Sequence, residues 1–267
     1  MRQLIAEKNP DDAGRIFIDG KKFRYMKTVL RAKVGDMILV RLPGGKIQQT
    51  TVAKIDAARK KITLQVAGEF SAEKNLQNIP DAEFHAEIFL FQFVPKISKM
   101  DLIIRQATEC GVAKIIPVEG EFCQKGNVDS ARKKSAENDE RWARIVTEAR
   151  EQSGSPVDTK ILPCMNLQDA LKFWQKEPAE KKISVVLYER SGGAKKIQEA
   201  FKNADVKKDE KIKVAVAVGA EGGISSEEIF AMEKDGFVSV HFETNILRCE
   251  TAALYGIASI QTIFGGV

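Results

Sequence analysis

From Ala86 to the C-terminus, short β-branched runs alternate with amphipathic stretches, and that rhythm leaves few folds open. "AEIFLFQF" reads as a strand, "SKMDLIIRQATEC" as a helix stopped by Gly111, and "AKIIPVEG" as the next strand. A charged stretch without a clear period runs on to about Ala136. "NDERWARIVTEAREQSG" then reads as a helix with Trp142, Ile145 and Val146 on its apolar side. "TKILP" is a strand ahead of a helix capped by Asn166, and "ISVVLY", "IKVAVAV" and "FVSVHF" each lead through a loop into a helix. Parallel strands need such crossovers, so the fold class is α/β with a mainly parallel sheet and helices on both faces.

Two loops stand out. In "VGAEGGISSEEIF", Ser225 followed three residues later by Glu228 is a capping-box signature, so a helix starts there. The glycines between strand and helix lie where open α/β sheets place their ligands, and glycine lets backbone approach a ligand closely. A plain connecting turn is the alternative. The second loop, "HFETNILRCETAALYGIASIQTIF", ends a strand at Phe242 and opens a helix near Cys249. Glu250 in the first turn suits the positive helix end, whereas Arg248 opposes it, and an electrostatically awkward position points to function. Beyond Glu250 no charge occurs through Val267. A helix without a polar face is expected to be buried on nearly all sides, one of them by a second subunit carrying Ile257 at the contact.

The first third differs in charge. Residues 1–78 carry 16 Lys/Arg against 8 Asp/Glu, whereas the remainder carries 26 against 29. The densest part is "KKFRYMKTVLRAK", with six basic residues and no acid across residues 21–33. Phe23 and Tyr25 interleave with the cations, which favours nucleic acid over a merely solvated face. Phe23, Met26, Val29 and Leu30 share one helical face. Around this helix "GRIFIDG", "DMILVRL", "IQQTTVAKI" and "ITLQVAG" read as short strands, a pattern expected of a small β-barrel. The polar, Pro-containing "SAEKNLQNIPDA" is the linker, dividing the chain into 1–78 and 79–267. Arg2, Arg15, Lys22, Arg24, Lys27 and Arg31 are the candidate RNA contacts.

Other chemistries are excluded. No GxxxxGK[ST] and no early GxGxxG occurs, and "SGGAKK" at 191–196 reads as a turn before a helix. Cys110, Cys123, Cys164 and Cys249 form no CxxC pair and are expected as reduced thiols, Cys249 as a packed residue. With only His85 and His241, no metal site is expected. The chain has no signal-like start and no membrane-length apolar run, so a cytoplasmic protein is expected.

Taken together, "VGAEGG" and "NILRCETAA" resemble two motifs of the SPOUT-class RNA methyltransferases. The resemblance is to the bacterial 16S ribosomal RNA uridine-N3 methyltransferase family. "VLRAKVGD", "IRQATECGVAKIIPV" and "RWARIVTEAREQSG" resemble further stretches of that family, in the same order. Ala220 stands where the family usually has Pro, Glu243 replaces a common Gly, Asn245 a common basic residue, and Ser155 a frequent Arg.

The resemblance implies a PUA-like N-terminal domain and a trefoil-knotted methyltransferase domain. It also implies a homodimer that binds S-adenosylmethionine and acts on 16S ribosomal RNA or the small ribosomal subunit. Its cofactor pocket maps onto Leu187, Tyr188 and Glu189; onto Val218, Gly219, Ala220, Glu221, Gly222 and Gly223; and onto Phe242, Ile246, Leu247, Arg248 and Thr251. Arg248 is the candidate to stabilise charge on the uridine carbonyls, and Glu250 the candidate orienter or proton acceptor. Two other readings stay open: an enzyme of this fold acting elsewhere, such as on a transfer-RNA ribose 2′-hydroxyl, and a non-catalytic RNA-binding assembly protein.

Overall fold

The computed structural model describes residues 3–66, 86–136, 140–189, 194–202 and 212–264. Arg2, His85, the linker "SAEKNLQNIPDA" and residues 191–193 of "SGGAKK" lie outside the described residues. The chain divides into two compact units, Met1–Asp81 with Glu151–Pro156, and Ala82–Arg150 with Val157–Val267.

The first unit holds β1 (Gln3–Ile5), β2 (Arg15–Ile18), β3 (Met37–Arg41), β4 (Ile47–Asp56) and β5 (Lys61–Val66), in the sheet order β1-β3-β4-β5-β2. All neighbours are antiparallel except β1 and β3. "PGGK" makes the β3–β4 turn, where Leu42 N–H donates to the Lys46 carbonyl at 2.8 Å and Gly44 and Gly45 take positive φ. Helix α1 (Gly20–Arg24) runs into a π-helical stretch, Tyr25–Val29. Phe23 and Met26 enter the core with Leu4, Ile18, Val52 and Leu64. The apolar face is narrower than the periodicity predicts, since the wider π turn leaves Val29 56% exposed. Phe23, at 5% exposure, belongs to the core and is not available to a nucleic acid, whereas Tyr25 is at the surface.

This unit is not contiguous in sequence. Glu151 Oε1 accepts the Ile5 N–H at 3.1 Å, and Arg41, buried, donates to Gln3 Oε1 at 3.1 Å and to the Gly154 carbonyl at 3.3 Å. Residues 151–156 join it although the linker lies far upstream, an assignment a division by linker composition cannot make.

The second unit is a parallel sheet of β6 (Ala86–Phe93), β7 (Lys114–Glu119), β8 (Lys160–Ile161), β10 (Lys182–Leu187), β11 (Ile212–Val218) and β12 (Val238–Val240), with β9 (Met165–Asn166) also paired to β7. Its order is β12-β10-β11-β6-β7-β8, every pairing parallel. The helices are α2 (Ile97–Glu109), α3 (Lys125–Ser135), α4 (Glu140–Ser153), α5 (Leu167–Lys176), α6 (Ile197–Phe201), α7 (Ser226–Lys234) and α8 (Cys249–Phe264).

Strand periodicity sorts the core into two layers. Ile88 and Leu90 of β6, with Val214 and Val216 of β11, face α2, α3, α4, α6 and α8. Phe89, Phe91 and Phe93, with Ala215 and Ala217, face α5 and α7. Two buried tryptophans keep their N–H groups satisfied, Trp142 on Asp101 at 2.9 Å and Trp174 on Ser184 at 2.6 Å.

Two expectations change here. The charged stretch before Ala136 contains α3, which buries only Val128, Ala131 and Ser135 and so carries little apolar signal. Ile257 is 1% exposed within its own chain, packed in the same layer as Met100 and Val216, so it is a core residue and not an interface residue. The exposed stripe of α8 is instead Thr251, Tyr255, Ala258 and Thr262.

Candidate active site

Strands β12, β10 and β11 are adjacent and parallel, so the loops after them leave the same edge of the sheet side by side. They enclose a cleft of about 660 Å³, counting its open mouth. Leu187, Tyr188 and Glu189 line it from the first loop, Val218, Gly219, Ala220 and Gly223 from the second, and Phe242, Ile246 and Leu247 from the third. Each of these was expected from the resemblance. Glu221, Gly222, Arg248 and Thr251, grouped with them on the same ground, stand outside the lining.

The glycine loop is a tight turn. Gly223 N–H donates to the Ala220 carbonyl at 3.0 Å, and Gly223 has φ +79°, a conformation that favours glycine. A Cβ on Gly219 would sit 2.8 Å from the Gly223 carbonyl carbon, so the turn closes only over a hydrogen. A Cβ on Gly222 would instead strike the Phe122 side chain at 2.8 Å, so that glycine serves packing behind the cleft. Gln92, fully buried, donates through Nε2 to the carbonyls of Val218 at 3.3 Å and Gly219 at 3.2 Å and holds the start of the loop. Ser225 closes the other end with both capping-box bonds, and Glu228 Oε1 also accepts the Glu121 N–H at 2.8 Å.

The first and third loops are tied by backbone. Tyr188 N–H donates to the Val240 carbonyl at 2.9 Å, and His241 Nδ1 lies 3.3 Å from the Tyr188 carbonyl. His241 lines the cleft, as do Val240, Ile224, Thr244, Asn245, Cys249 and Ala252. Thr244, Asn245 and Cys249 fall within the third loop that the resemblance implies, 242–251, whereas His241, Val240, Ile224 and Ala252 were not singled out as pocket residues from sequence. For His241 no signal was available, because the sequence carries the strand on to Phe242, whereas the strand stops at Val240. Ile246 is 83% exposed at the mouth, and Phe242 packs edge-on against Tyr255 with ring centroids 4.7 Å apart.

Arg248 is exposed, and among the described residues no hydrogen bond or ion pair engages its guanidinium. Its carbonyl accepts the Ala252 N–H at 2.7 Å, which sets it at the start of α8 between the cleft residues Leu247 and Cys249. Glu250 is half-buried. Burial alone would raise its carboxyl, but its own backbone N–H, the Cys249 thiol and Lys99 hold it below the ordinary carboxylate range. Burial and the neighbouring Glu250 push the Cys249 thiol up to about 12, so it is an inert packed residue.

Lys99, on the first turn of α2, was not anticipated from sequence. Its Nζ lies 3.4 Å from Glu221 Oε1, 3.4 Å from Glu250 Oε2 and 3.9 Å from Cys249 Sγ. Glu221 Oε1 also accepts the Lys96 N–H at 3.2 Å, at the N-terminus of α2. The single acid of the glycine loop therefore anchors that loop to α2, consistent with its place outside the cleft.

The candidate RNA contacts divide by environment. Arg24, Lys27 and Arg31 are exposed, and Arg31 holds φ +51°, unusual for a residue with a side chain. Lys22 is engaged, its Nζ donating to the Ile5 carbonyl at 2.8 Å, and Arg15 pairs with Asp11 at 3.0 Å. Among the described residues no group of His, Cys, Asp and Glu could hold a metal ion, and no helix is long and apolar enough to cross a membrane.

A parallel α/β sheet with three carboxyl-end loops closing one cleft, a glycine turn within it and an exposed arginine beside it defines an α/β protein with a small-ligand cleft. Residues 82–261 match the RNA methyltransferase domain family. The chain belongs to that family, and within it to the ribosomal RNA small subunit methyltransferase E proteins. It is 27% identical to the Borreliella burgdorferi ribosomal RNA small subunit methyltransferase E 2, over 98% of both chains. With the Aquifex aeolicus ribosomal RNA small subunit methyltransferase E it shares 34% identity, over 67% of this chain and 69% of that one. The crystal structure of a Neisseria gonorrhoeae ribosomal RNA small subunit methyltransferase E bound to S-adenosylmethionine superposes with a TM-score of 0.76. That pair is 25% identical over 99% of this chain and 98% of the other.

Proposed function

We propose that this protein transfers a methyl group from S-adenosylmethionine to N3 of a uridine in 16S ribosomal RNA. The observation that carries the reading is the convergence of three loops on one cleft beside an unengaged arginine, in a chain of the ribosomal RNA methyltransferase family. The cleft suits the cofactor: apolar Leu187, Val218, Leu247 and Ala252 offer a wall for a purine, the Glu189 carboxylate offers a partner for hydroxyl or amino groups, and Gly219 lets the glycine turn beside them close. The S-adenosylmethionine bound to the N. gonorrhoeae relative supports the same ligand here. Bound there, the cofactor supplies an electrophilic methyl group on sulfur.

The remaining work falls to the chain. N3 gives up its proton to solvent water before it attacks the methyl carbon, and Arg248 stabilises the negative charge that gathers on O2 and O4. Glu250 takes the orienting role, because a carboxylate held below its ordinary range is a weak base for an imide N–H. N3 lies on the pairing edge, so the uridine must be exposed or flipped out to react. The decisive experiment is mass-spectrometric mapping of 16S ribosomal RNA from a strain lacking the gene and from the complemented strain. A methyl group missing from one uridine N3 and restored on complementation is the expected result. An unchanged methylation map would overturn the reading.

The first unit is proposed as a PUA-like RNA-binding domain and the second as a trefoil-knotted domain, acting in the cytoplasm where ribosomes assemble. Reversing charge at Arg24, Lys27 and Arg31 should weaken ribosomal RNA binding whatever the sequence, and should flatten the log–log salt dependence by about three. An unchanged salt slope would remove these residues from the interface.

The active species is proposed to be a homodimer covering the uncharged stripe of α8. Tyr255, 47% exposed at its centre, is the position to test. Sedimentation of Tyr255→Asp should show a folded monomer at concentrations where the wild type is dimeric. A dimer as tight as the wild type would move the interface elsewhere.

A further inference from the structure

We propose that Lys99 is the positioning residue of the transfer site, holding the glycine loop and the first turn of α8 in one register. This rests on the methyltransferase reading above. One ammonium group sits 3.4 Å from Glu221, which belongs to the glycine loop, and 3.4 Å from Glu250, which belongs to the helix that follows Arg248. The three elements come from distant parts of the sequence, and their sheet strands do not fix this contact. Glu221 and Glu250 are like charges brought to one point, an arrangement that repels unless a cation lies between them.

The burial of the pieces matches the role. Glu250 is 15% exposed at its side chain and Lys99 27%, so the pair is shielded from solvent more than an ordinary surface ion pair. Glu221 has a second anchor in the Lys96 N–H, which fixes it to the N-terminus of α2. Glu250 has its own backbone N–H and the Cys249 thiol at 3.2 Å within its own turn and, beyond that turn, Lys99. Removing the ammonium therefore leaves the Glu250 carboxylate only partners within its own turn, whereas Glu221 keeps its tie to α2. Because Arg248 precedes Glu250 by two residues, release of that turn moves the guanidinium relative to the cleft. Lys99 is absent from the cleft lining, so it acts through Glu250 and not on the ligand.

The test uses full-length Lys99→Met and Lys99→Arg, each alone and in a Glu250→Gln background. The readouts are kcat and KM for methylation of ribosomal RNA, calorimetric affinity for S-adenosylmethionine, and the melting temperature. Lys99→Met should lower kcat by about tenfold or more, with KM and cofactor affinity within about threefold of wild type. Lys99→Arg should restore kcat to within about threefold, since its charge reaches both carboxylates. In the Glu250→Gln background Lys99→Met should cost less than about a further twofold, the non-additivity expected of residues acting as a unit.

An unimpaired Lys99→Met would overturn the role. So would equal losses in kcat and cofactor affinity, or additive losses in the double variant, because a merely structural lysine predicts those. If Lys99→Met does not fold, Lys99→Arg decides, and a tenfold loss of kcat in that folded variant would overturn the proposal. Wild-type protein that transfers no methyl group to ribosomal RNA would instead overturn the proposed function, and the role of Lys99 with it.

Discussion

Arg248→Ala should lower the turnover of ribosomal RNA methylation by about 10²- to 10³-fold while S-adenosylmethionine affinity stays within about threefold. The magnitude is that of removing one group aimed at charge developing in the transition state, about 3–4 kcal/mol. The structure supports the split between turnover and binding. Arg248 has no side-chain partner among the described residues and stands outside the cleft lining, yet its neighbours Leu247 and Cys249 are both part of that lining. Its charge is thus beside the cleft and free for a second ligand. Single-turnover kinetics alongside calorimetry measure the two effects separately. A loss confined to cofactor affinity would place Arg248 in the cofactor pocket and leave the uridine charge to another group.

Gly219→Val should weaken S-adenosylmethionine binding by more than about 100-fold, equivalent to about 2.7 kcal/mol, in a protein that still melts cooperatively. A Cβ at this position meets Gly223 backbone atoms at 2.8 and 3.0 Å, and backbone cannot swing aside as a flexible side chain can. The turn would have to open, which spoils the floor of the cleft without touching the core beneath Val218. Gly222→Ala is the informative contrast. Its Cβ would press on Phe122, so its cost is expected in stability and not in ligand affinity. Undiminished binding by a folded Gly219→Val protein would mean that the "AEGG" turn only joins a strand to a helix.

Much of this site is legible in the sequence because its signals are local. The β-branched run Ile212–Val218, the glycines after it and the Ser225–Glu228 box each follow from neighbouring residues, and each appears in the structure. The alternation of strand and helix predicts a parallel sheet for the same reason, and a parallel sheet is present. Where the local signal is weak the sequence is silent. Helix α3 buries too few apolar groups to show a period, and the helix Gly20–Val29 widens into a π turn that shifts its apolar face.

Composition alone misplaces residues whose fate depends on distant chain. Phe23 reads as an aromatic among cations, but the packing of Leu4, Val52 and Leu64 takes it into the core. Ile257 reads as an interface residue because α8 lacks charge, but it is buried in the core layer that holds Met100 and Val216, and the open stripe lies a third of a turn away. The resemblance implies a pocket role for Glu221, yet Lys99 and the Lys96 N–H tie it to α2, outside the cleft lining.

By itself, then, the sequence determined the strands, the caps, the glycine turn and the basic character of residues 1–78, all properties of residues within a few positions of one another. The tertiary structure alone decided that β12, β10 and β11 lie side by side, which brings three separate loops to one cleft. It alone placed Lys99 between Glu221 and Glu250, and Gln92 beneath Gly219. The reason is physical: periodicity records which face of an element is buried, whereas a contact across more than a hundred residues depends on strand order, which no local pattern of side chains encodes.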